Sequence, residues 1–284
     1  MSFITFIRIL LTIILLTVSY GFKIPTELSK NSIQIDKLRI IGGTPVNIKD
    51  YKYLVSIQYR RSHICGGSII NEKTILSAAH CFSDSINNPD LIEIQAGSTY
   101  INWGWGYFFS NNNNNNVRIN AENIIIHPEY NIPDLYDNDI ALIVLKSNLI
   151  YSNKIGSINL PDVNDIFSPG TKVEVSGWGT TNQYFNMLSN VLKSVEIVII
   201  DLETCNKLNY NEVNENNMLC AGDLNGGKDS CSGDSGGPLV TKRDNKTIIV
   251  GIVSWGYGCG YSSHPGVYTN VSKFLNWIKI NSRY

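Results

Sequence analysis

The amino-acid sequence predicts an all-β fold. Apolar or alternating runs at residues 54–57, 91–94, 124–126 and 173–175 are rich in Val and Ile and are separated by Gly, Pro, Asn and Asp. Many short strands at this spacing are typical of a β-sandwich or a β-barrel. Long helical patterns do not alternate with these runs, which disfavours a doubly wound α/β fold.

Two stretches depart from the strand pattern. Residues 272–281 are expected to form a terminal helix, because their apolar side chains suit one helical face. Residues 103–117 are weakly patterned and contain an unbroken run from Asn111 to Asn116. Six adjacent Asn side chains neither pack a core nor supply charge, so the run is interpreted as a solvated low-complexity insertion; a binding loop is the alternative.

Length and composition narrow the class of protein. The 284 residues allow one large β domain or two small ones. With 43% hydrophobic and 17% charged residues, the chain has the composition of a folded protein. The net charge of −1 provides no overall basic surface, which argues against nucleic acid as the main partner.

The N-terminus has the layout of a secretory signal peptide. Residues 3–20 are almost entirely apolar with Arg8 near the front, and Ser19 and Gly21 occupy the −3 and −1 positions of a cut after Gly21. The segment 1–21 is therefore predicted to be removed, leaving a secreted protein without a membrane anchor. An uncleaved anchor helix is the alternative, because this stretch is close to the length that spans a bilayer. In an extracellular protein, six Cys are interpreted as three disulfides.

Three short segments carry the residues that suggest chemistry. They are Leu-Ser-Ala-Ala-His-Cys at 76–81, Asp-Asn-Asp-Ile-Ala-Leu at 137–142 and Asp-Ser-Cys-Ser-Gly-Asp-Ser-Gly-Gly-Pro at 229–238. Each alone is ambiguous, since a lone His, a turn Asp or a Gly-rich turn is common. Together they supply a hydroxyl nucleophile, a base to activate it and a carboxylate to orient the base. The glycines around Ser235 let main-chain N–H groups turn toward a developing oxyanion.

With these motifs the sequence resembles a secreted, trypsin-like serine protease of the chymotrypsin family, from Ile40 to about Ile280. The resemblance implies two antiparallel β-barrels, at roughly 51–158 and 170–271, followed by the terminal helix, all within a protease domain at 40–284. The sequence of residues 225–231 and 254–259 is similar to that of arthropod trypsins, in particular to the digestive mite trypsins known as group 3 allergens.

The resemblance assigns catalytic roles to His80, Asp139 and Ser235. Ser235 would attack the scissile carbonyl, His80 would carry the proton and Asp139 would hold the imidazole ring. The main-chain N–H groups of Gly233 and Ser235 would form the oxyanion hole. No cofactor and no metal are implied, and residues 97–102 lack the acidic ligands of the calcium loop in vertebrate trypsins.

The family pattern also predicts the specificity pocket. Asp229 matches the position at the pocket base, where a buried carboxylate favours Arg or Lys before the cut. Gly256 and Gly266 match the pocket walls, and Ser254 and Trp255 with Gly256 match the edge that pairs with an extended substrate. The alternative for Asp229 is a turn carboxylate without a selective role.

Activation is expected to follow cleavage between Arg39 and Ile40, which makes residues 22–39 a propeptide. In the family, the new ammonium folds inward and pairs with the carboxylate before the nucleophile, here Asp234, in an order–disorder switch. His63 matches a position that can hold this carboxylate in the zymogen; an ordinary polar contact is its alternative. Two sequons, at Asn245 and Asn270, are candidate glycosylation sites, and Asn245 is favoured because it falls in an expected hairpin turn.

Six cysteines allow fifteen pairings, which spacing alone does not resolve. The resemblance implies the following three pairs: Cys65–Cys81, Cys205–Cys220 and Cys231–Cys259. Metal binding by Cys65, Cys81 and His80 is the competing interpretation, and it lacks the Cys-x-x-Cys spacing of zinc sites.

The sequence as a whole predicts a monomeric, secreted zymogen that cuts after Arg or Lys and meets protein substrates and protein protease inhibitors, with the gut lumen as an expected location. A catalytically silent paralogue acting as a decoy is the first alternative. Silent paralogues of the family usually lack the catalytic His, Asp or Ser, and this chain has all three. A cascade protease of narrow specificity is the second alternative.

Overall fold

Antiparallel β-strands dominate the computed structural model, which describes residues 42–82, 88–101, 116–180 and 187–282. The predicted signal peptide and propeptide, Arg39, Ile40 and most of the Asn run lie outside these residues. The strands are β1 Thr44–Pro45, β2 Leu54–Tyr59, β3 Ser62–Asn71, β4 Thr74–Ser77, β5 Ile92–Ala96, β6 Val117–Ile126, β7 Ala141–Leu145, β8 Lys172–Gly177, β9 Lys193–Ile200, β10 Met218–Gly222, β11 Pro238–Arg243, β12 Lys246–Trp255 and β13 Gly266–Asn270.

The first barrel closes through six strands in the order β2-β3-β4-β7-β6-β5. Its interior is filled by fully buried aliphatic side chains such as Leu54, Ile57, Ile75 and Leu142. Each such side chain stabilises the fold by roughly 1.5–3 kcal/mol relative to exposure. The β4–β7 pairing places Ser77 opposite Ala141, which brings the segments that follow β4 and precede β7 to the same end of the barrel.

The second barrel contains β8 to β13. Strand β8 pairs with both β9 and β11, so the sheet β9-β10-β13-β12-β11-β8 closes on itself, and β1 adds to β9 from outside. Its core includes Val173, Val175, Leu239, Val250 and Tyr268. The prediction of an all-β fold with two antiparallel barrels is confirmed.

Helices are short in the described part of the chain. A helix, α1, at Leu202–Leu208 begins at Asp201, whose side chain accepts a hydrogen bond from the Thr204 N–H. The C-terminal segment forms a 3₁₀ turn at Val271–Phe274 and then a helix, α2, at Leu275–Asn281. Within these ranges, every helix is too short or too polar to cross a membrane.

Three disulfides join the pairs Cys65–Cys81, Cys205–Cys220 and Cys231–Cys259. The first ties β3 to the 3₁₀ turn that carries His80, and the third ties the Ser235 segment to the segment after β12. Because Cys65 and Cys81 share a disulfide, their sulfur atoms are not thiolates, and the grouping of Cys65, Cys81 and His80 does not provide the anionic ligands of a zinc site.

Candidate active site

His80 and Asp139 form a hydrogen-bonded pair at the end of the first barrel. His80 follows β4 by three residues and Asp139 precedes β7 by two, so the β4–β7 pairing places them side by side. The Asp139 carboxylate is fully buried; its Oδ2 lies 2.7 Å from His80 Nδ1, and its Oδ1 accepts the His80 main-chain N–H at 2.9 Å. With Nδ1 donating to Asp139, the lone pair of the neutral ring is on Nε2.

A further donor reaches Asp139 from the second barrel. Ser254 Oγ donates to Asp139 Oδ2, and Thr269 Oγ1 donates to the Asp139 main-chain oxygen at 2.7 Å. Ser254 was predicted only as part of the substrate-binding edge. The structure shows that its hydroxyl also stabilises the carboxylate that orients His80.

Ser235 lies in a glycine-rich loop that precedes β11. The Gly66 N–H donates to the Ser235 oxygen at 2.8 Å, and the Gly236 N–H donates to the Val253 oxygen at 2.9 Å. Gly233 and Gly236 have φ of +94° and +74°, the region that favours glycine. A Cβ at Gly233 would lie 3.2 Å from the Gly179 Cα and would push the Leu188 side chain aside, and the positive φ would strain any residue that carries a Cβ.

Asp234 is buried beneath this loop. Its Oδ1 accepts the Gly179 N–H at 2.7 Å and its Oδ2 accepts the Cys231 N–H at 3.0 Å. Burial raises the pKa of the Asp234 carboxyl to about 6, and the two main-chain hydrogen bonds oppose that shift. A carboxylate in this position gains strongly from a cationic partner.

A cavity of about 360 Å³ brings the predicted residues of both barrels together. Its lining includes His80, Tyr136, Asp229, Ser230, Cys231, Ser232, Ser235, Val253, Ser254, Trp255, Gly256, Gly258, Cys259 and Gly266. Asp139 lies behind His80, and Gly233 lies two residues before Ser235 in the same loop. The cavity is therefore lined by a serine, an imidazole and a buried carboxylate.

Asp229 contributes a buried carboxylate with an unfilled hydrogen-bonding position. Its Oδ2 accepts the Gly260 N–H at 2.9 Å, while its buried Oδ1 has no hydrogen-bond partner among the described residues. Burial raises the pKa of the Asp229 carboxyl to about 7; hydrogen bonds from Gly260 and Ser230 oppose this rise, and the nearby Asp234 carboxyl adds to it. A Cβ at Gly266 would lie 3.1 Å from Asp229 Oδ1, so glycine keeps the space beside this buried oxygen free of a side chain.

Tyr136 is a cavity residue that the sequence reasoning missed. Its ring meets the His80 ring edge-on at 5.9 Å and stacks on Trp255 at 6.3 Å. It has φ of +64°, in a turn directly before Asp139. Its closeness to Asp139 in sequence was the only available signal. Tyr136 and Trp255 also border a second, larger cavity of about 760 Å³, which Tyr257, Glu212 and Asn214 line as well.

The remaining histidines occupy three different environments. His63 is buried beside the Ser235 loop and contacts the Gly233 main-chain oxygen, 2.8 Å away, rather than Asp234. His127 packs against Phe274 and Trp277 near the C-terminus. His264, to which the sequence assigned no role, contacts Tyr257.

The two candidate glycosylation sites differ in exposure. Asn245 is exposed at the turn between β11 and β12, with φ of +60°, whereas Asn270 is half-buried and its Oδ1 accepts from Ser272 Oγ at 2.7 Å. Arg39 and Ile40 lie outside the described residues. Gly42 is the first residue described, and a Cβ there would lie 2.3 Å from the Gly227 oxygen.

The structure has the features of a chymotrypsin-type serine protease. These are two closed antiparallel barrels, three disulfides, and a cavity lined by a paired histidine, a serine and a buried aspartate. Comparison with known proteins gives the same class. The model of the family described as Trypsin matches residues 40–278. The chain therefore belongs to the trypsin family and is a trypsin-like serine endopeptidase.

Curated relatives include both short and long proteases. "Trypsin beta" of Drosophila erecta is 39% identical over 246 residues, which cover 86% of this chain and 88% of that protein. "Transmembrane protease serine 11E" of Mus musculus and "Transmembrane protease serine 11G" of Rattus norvegicus are each 37% identical, over 90% and 85% of this chain. The aligned region spans only 57% and 55% of those two longer proteins. The fly relative is an arthropod trypsin; the narrower likeness to mite trypsins stays a prediction.

Proposed function

We propose that the protein hydrolyses peptide bonds after Arg or Lys through an acyl-enzyme on Ser235. The observation that carries the proposal is the His80–Asp139 pair at 2.7 Å, on a cavity shared with Ser235 and with the unfilled oxygen of Asp229. Nucleophile, base and cation-binding carboxylate thus surround one space that a substrate side chain and its carbonyl can enter together.

The mechanism proceeds by two proton transfers through one imidazole. His80 Nε2 takes the proton of Ser235 Oγ as the oxygen attacks the scissile carbonyl, and Asp139 stabilises the imidazolium that forms. The same Nε2 then protonates the leaving amine, and the acyl group stays on Ser235. A water molecule repeats the sequence and releases the acid.

The tetrahedral oxyanion is bound by main-chain donors. The N–H groups of Gly233 and Ser235 are proposed to point at this oxygen, and one such donor contributes about 3–4 kcal/mol to the barrier reduction. The φ of +94° at Gly233 supports this, because it is a main-chain conformation that glycine adopts readily and residues with a Cβ rarely adopt.

Specificity is proposed to come from Asp229. An Arg or Lys side chain brings a cation to a buried carboxylate that has one oxygen without a partner in the described structure. Pairing removes the energetic penalty of an isolated buried charge, while an apolar side chain leaves it in place. Gly256 and Gly266 keep the path to the carboxylate open for a long side chain.

Activation and export are proposed from the N-terminal sequence. Residues 1–21 act as a signal peptide, residues 22–39 as a propeptide, and the cut at Arg39 frees the Ile40 ammonium. That ammonium pairs with Asp234, whose burial beneath the Ser235 loop supports the assignment. The active protein is then a secreted monomer, with Asn245 as the favoured glycosylation site because its side chain is exposed at a turn.

The test uses protein cut at Arg39 and fluorogenic peptides that end in Arg, Lys, Phe or Ala. The proposal predicts hydrolysis of the Arg and Lys peptides alone, abolished in the Ser235→Ala variant. Cleavage after Phe or Ala instead would keep the protease and reject the assignment of Asp229. A folded, activated protein without any activity would make the decoy function the better account.

A further inference from the structure

A continuous series of hydrogen bonds, buried in its middle and partly buried at its two ends, runs from Arg118, on the side of the first barrel, to the Ser235 loop. Its intermediate members are Gln58, Ser56 and His63, on β2 and β3, and it ends on the Gly233 main-chain oxygen. Gln58 and Ser56 are fully buried, and His63 is 9% exposed. The catalytic steps proposed above use none of these side chains.

The donor and the acceptor of every hydrogen bond in the series follow from the groups at its two ends. The Arg118 guanidinium has only donors, so the Gln58 oxygen, 2.8 Å from Arg118 Nη1, must accept. Gln58 Nε2 therefore faces inward and donates to Ser56 Oγ at 3.3 Å and to Gln95 Oε1 at 2.7 Å. At the other end, the carbonyl oxygen of Gly233 can only accept, so His63 Nε2 carries the proton at 2.8 Å.

The middle link fixes the tautomer of His63. Burial lowers the pKa of His63, so its ring is neutral and holds one proton. With that proton on Nε2, Nδ1 is an acceptor and receives the Ser56 hydroxyl proton at 2.8 Å. Because Ser56 already accepts from Gln58, its own proton is directed at His63. A fixed cation at Arg118, itself paired with Glu93, thus sets the donor and acceptor of each hydrogen bond from Gln58 to His63.

The last hydrogen bond of the series, from His63 to the Gly233 oxygen, restrains a main-chain segment that has no side chain to anchor it. Gly233 has no Cβ and a φ of +94°, and glycine populates both signs of φ about equally. The following residue is anchored by its side chain, since Asp234 accepts from Gly179 and Cys231. The hydrogen bond from His63 holds the Gly233 carbonyl and so limits rotation of the residue whose N–H was proposed above as an oxyanion donor.

We infer that His63 is a positioning residue for the oxyanion hole, and that Ser56, Gln58 and Arg118 keep its Nε2 proton directed at the Gly233 carbonyl. The inference rests on the proposed function, because it concerns the same oxyanion hole. It predicts a loss confined to transition-state stabilisation, since neither substrate side chain nor Asp229 contacts this chain of bonds.

The experiment compares Ser56→Ala with Ser68→Ala, a matched control. Both serines are fully buried in the first barrel, but the Ser68 hydroxyl has no hydrogen-bond partner in the described structure. With an Arg fluorogenic peptide, Ser56→Ala is expected to lower kcat roughly 10-fold, a fraction of the loss for deleting a whole oxyanion donor, with KM within about 2-fold. Affinity for a peptidyl trifluoromethyl ketone, which forms an oxyanion on the enzyme, should fall in parallel, and Ser68→Ala should change neither value.

A second pair of variants tests the proton of His63 itself. His63→Phe removes the donor and should lower kcat by roughly 100-fold, whereas His63→Gln retains an N–H at a similar reach and should recover about 10-fold of it. Equal kcat values for Ser56→Ala and Ser68→Ala, or a loss confined to KM, would overturn the inference. Inactivity of the wild type and Ser68→Ala alike would instead remove the proposed function, and the inference with it.

Discussion

The raised pKa of Asp229 predicts how binding of a cation depends on pH. The empty site holds its proton up to about pH 7, because burial disfavours the carboxylate. A cationic ligand pairs with the ionised form, so its affinity should be constant above pH 7 and weaken about tenfold per pH unit below it. At pH 5.5 the dissociation constant should be roughly 30-fold larger than its alkaline plateau.

The assay is calorimetric titration of a small aryl amidine into the Ser235→Ala variant between pH 5 and pH 8.5. Repeating the titration in buffers of different ionisation enthalpy should show uptake of about one proton by the buffer per amidine bound near pH 6. In Asp229→Asn, affinity should drop by about 3 kcal/mol, roughly 150-fold, and its pH dependence should vanish. A constant affinity from pH 5.5 to pH 8, with no proton exchange, would refute the reasoning.

Three further predictions concern the same site. In the absence of ligand, Asp229→Asn in a Ser235→Ala background should raise the melting temperature at pH 8 but not at pH 4. Because the pKa of the Asp229 carboxyl is raised in the folded state, its ionisation destabilises the fold; this destabilisation is absent below the pKa of the unfolded chain and complete above about pH 7. The same change in melting temperature at both pH values would contradict this. Asp139→Asn should lower kcat about 10⁴-fold in peptide hydrolysis, because His80 loses its tautomer and its counter-charge, and a loss below tenfold would exclude that role. Gly233→Ala should lower kcat at least roughly 100-fold, since a φ of +94° strains a residue with a Cβ and the added Cβ would lie 3.2 Å from the Gly179 Cα. Wild-type kcat with unchanged circular dichroism would show that the loop tolerates the side chain.

The sequence was most informative where chemistry depends on residue type and order. Strand alternation predicted the β architecture, and the motifs around His80, Asp139 and Ser235 led to the family and, through it, to the two barrels and the three disulfide pairs. These features are local in sequence, or are carried by a family resemblance over nearly the whole mature chain.

What the sequence did not reveal depends on distant contacts. Tyr136 reaches His80 only because the turn before β7 takes a left-handed conformation, and no spacing rule encodes that. The hydroxyl of Ser254 meets Asp139 across 115 positions of sequence. His63 matches a position that can hold Asp234 in the zymogen, with an ordinary polar contact as the alternative; its Nε2 lies 2.8 Å from the neighbouring Gly233 carbonyl oxygen, a partner that no spacing rule indicates. The short helix α1 was also missed, because its seven residues carry too weak a periodic signal.

The proposed activity depends on activation of Ser235 as a nucleophile by His80 on the shared cavity. The most direct measurement is intact-mass and peptide-mapping analysis of the Arg39-cleaved protein after treatment with a serine-directed fluorophosphonate. The account predicts one adduct per chain, on Ser235, formed rapidly in the wild type and at least about 100-fold more slowly in His80→Ala. Labelling of another residue, or an equal rate in His80→Ala, would contradict it.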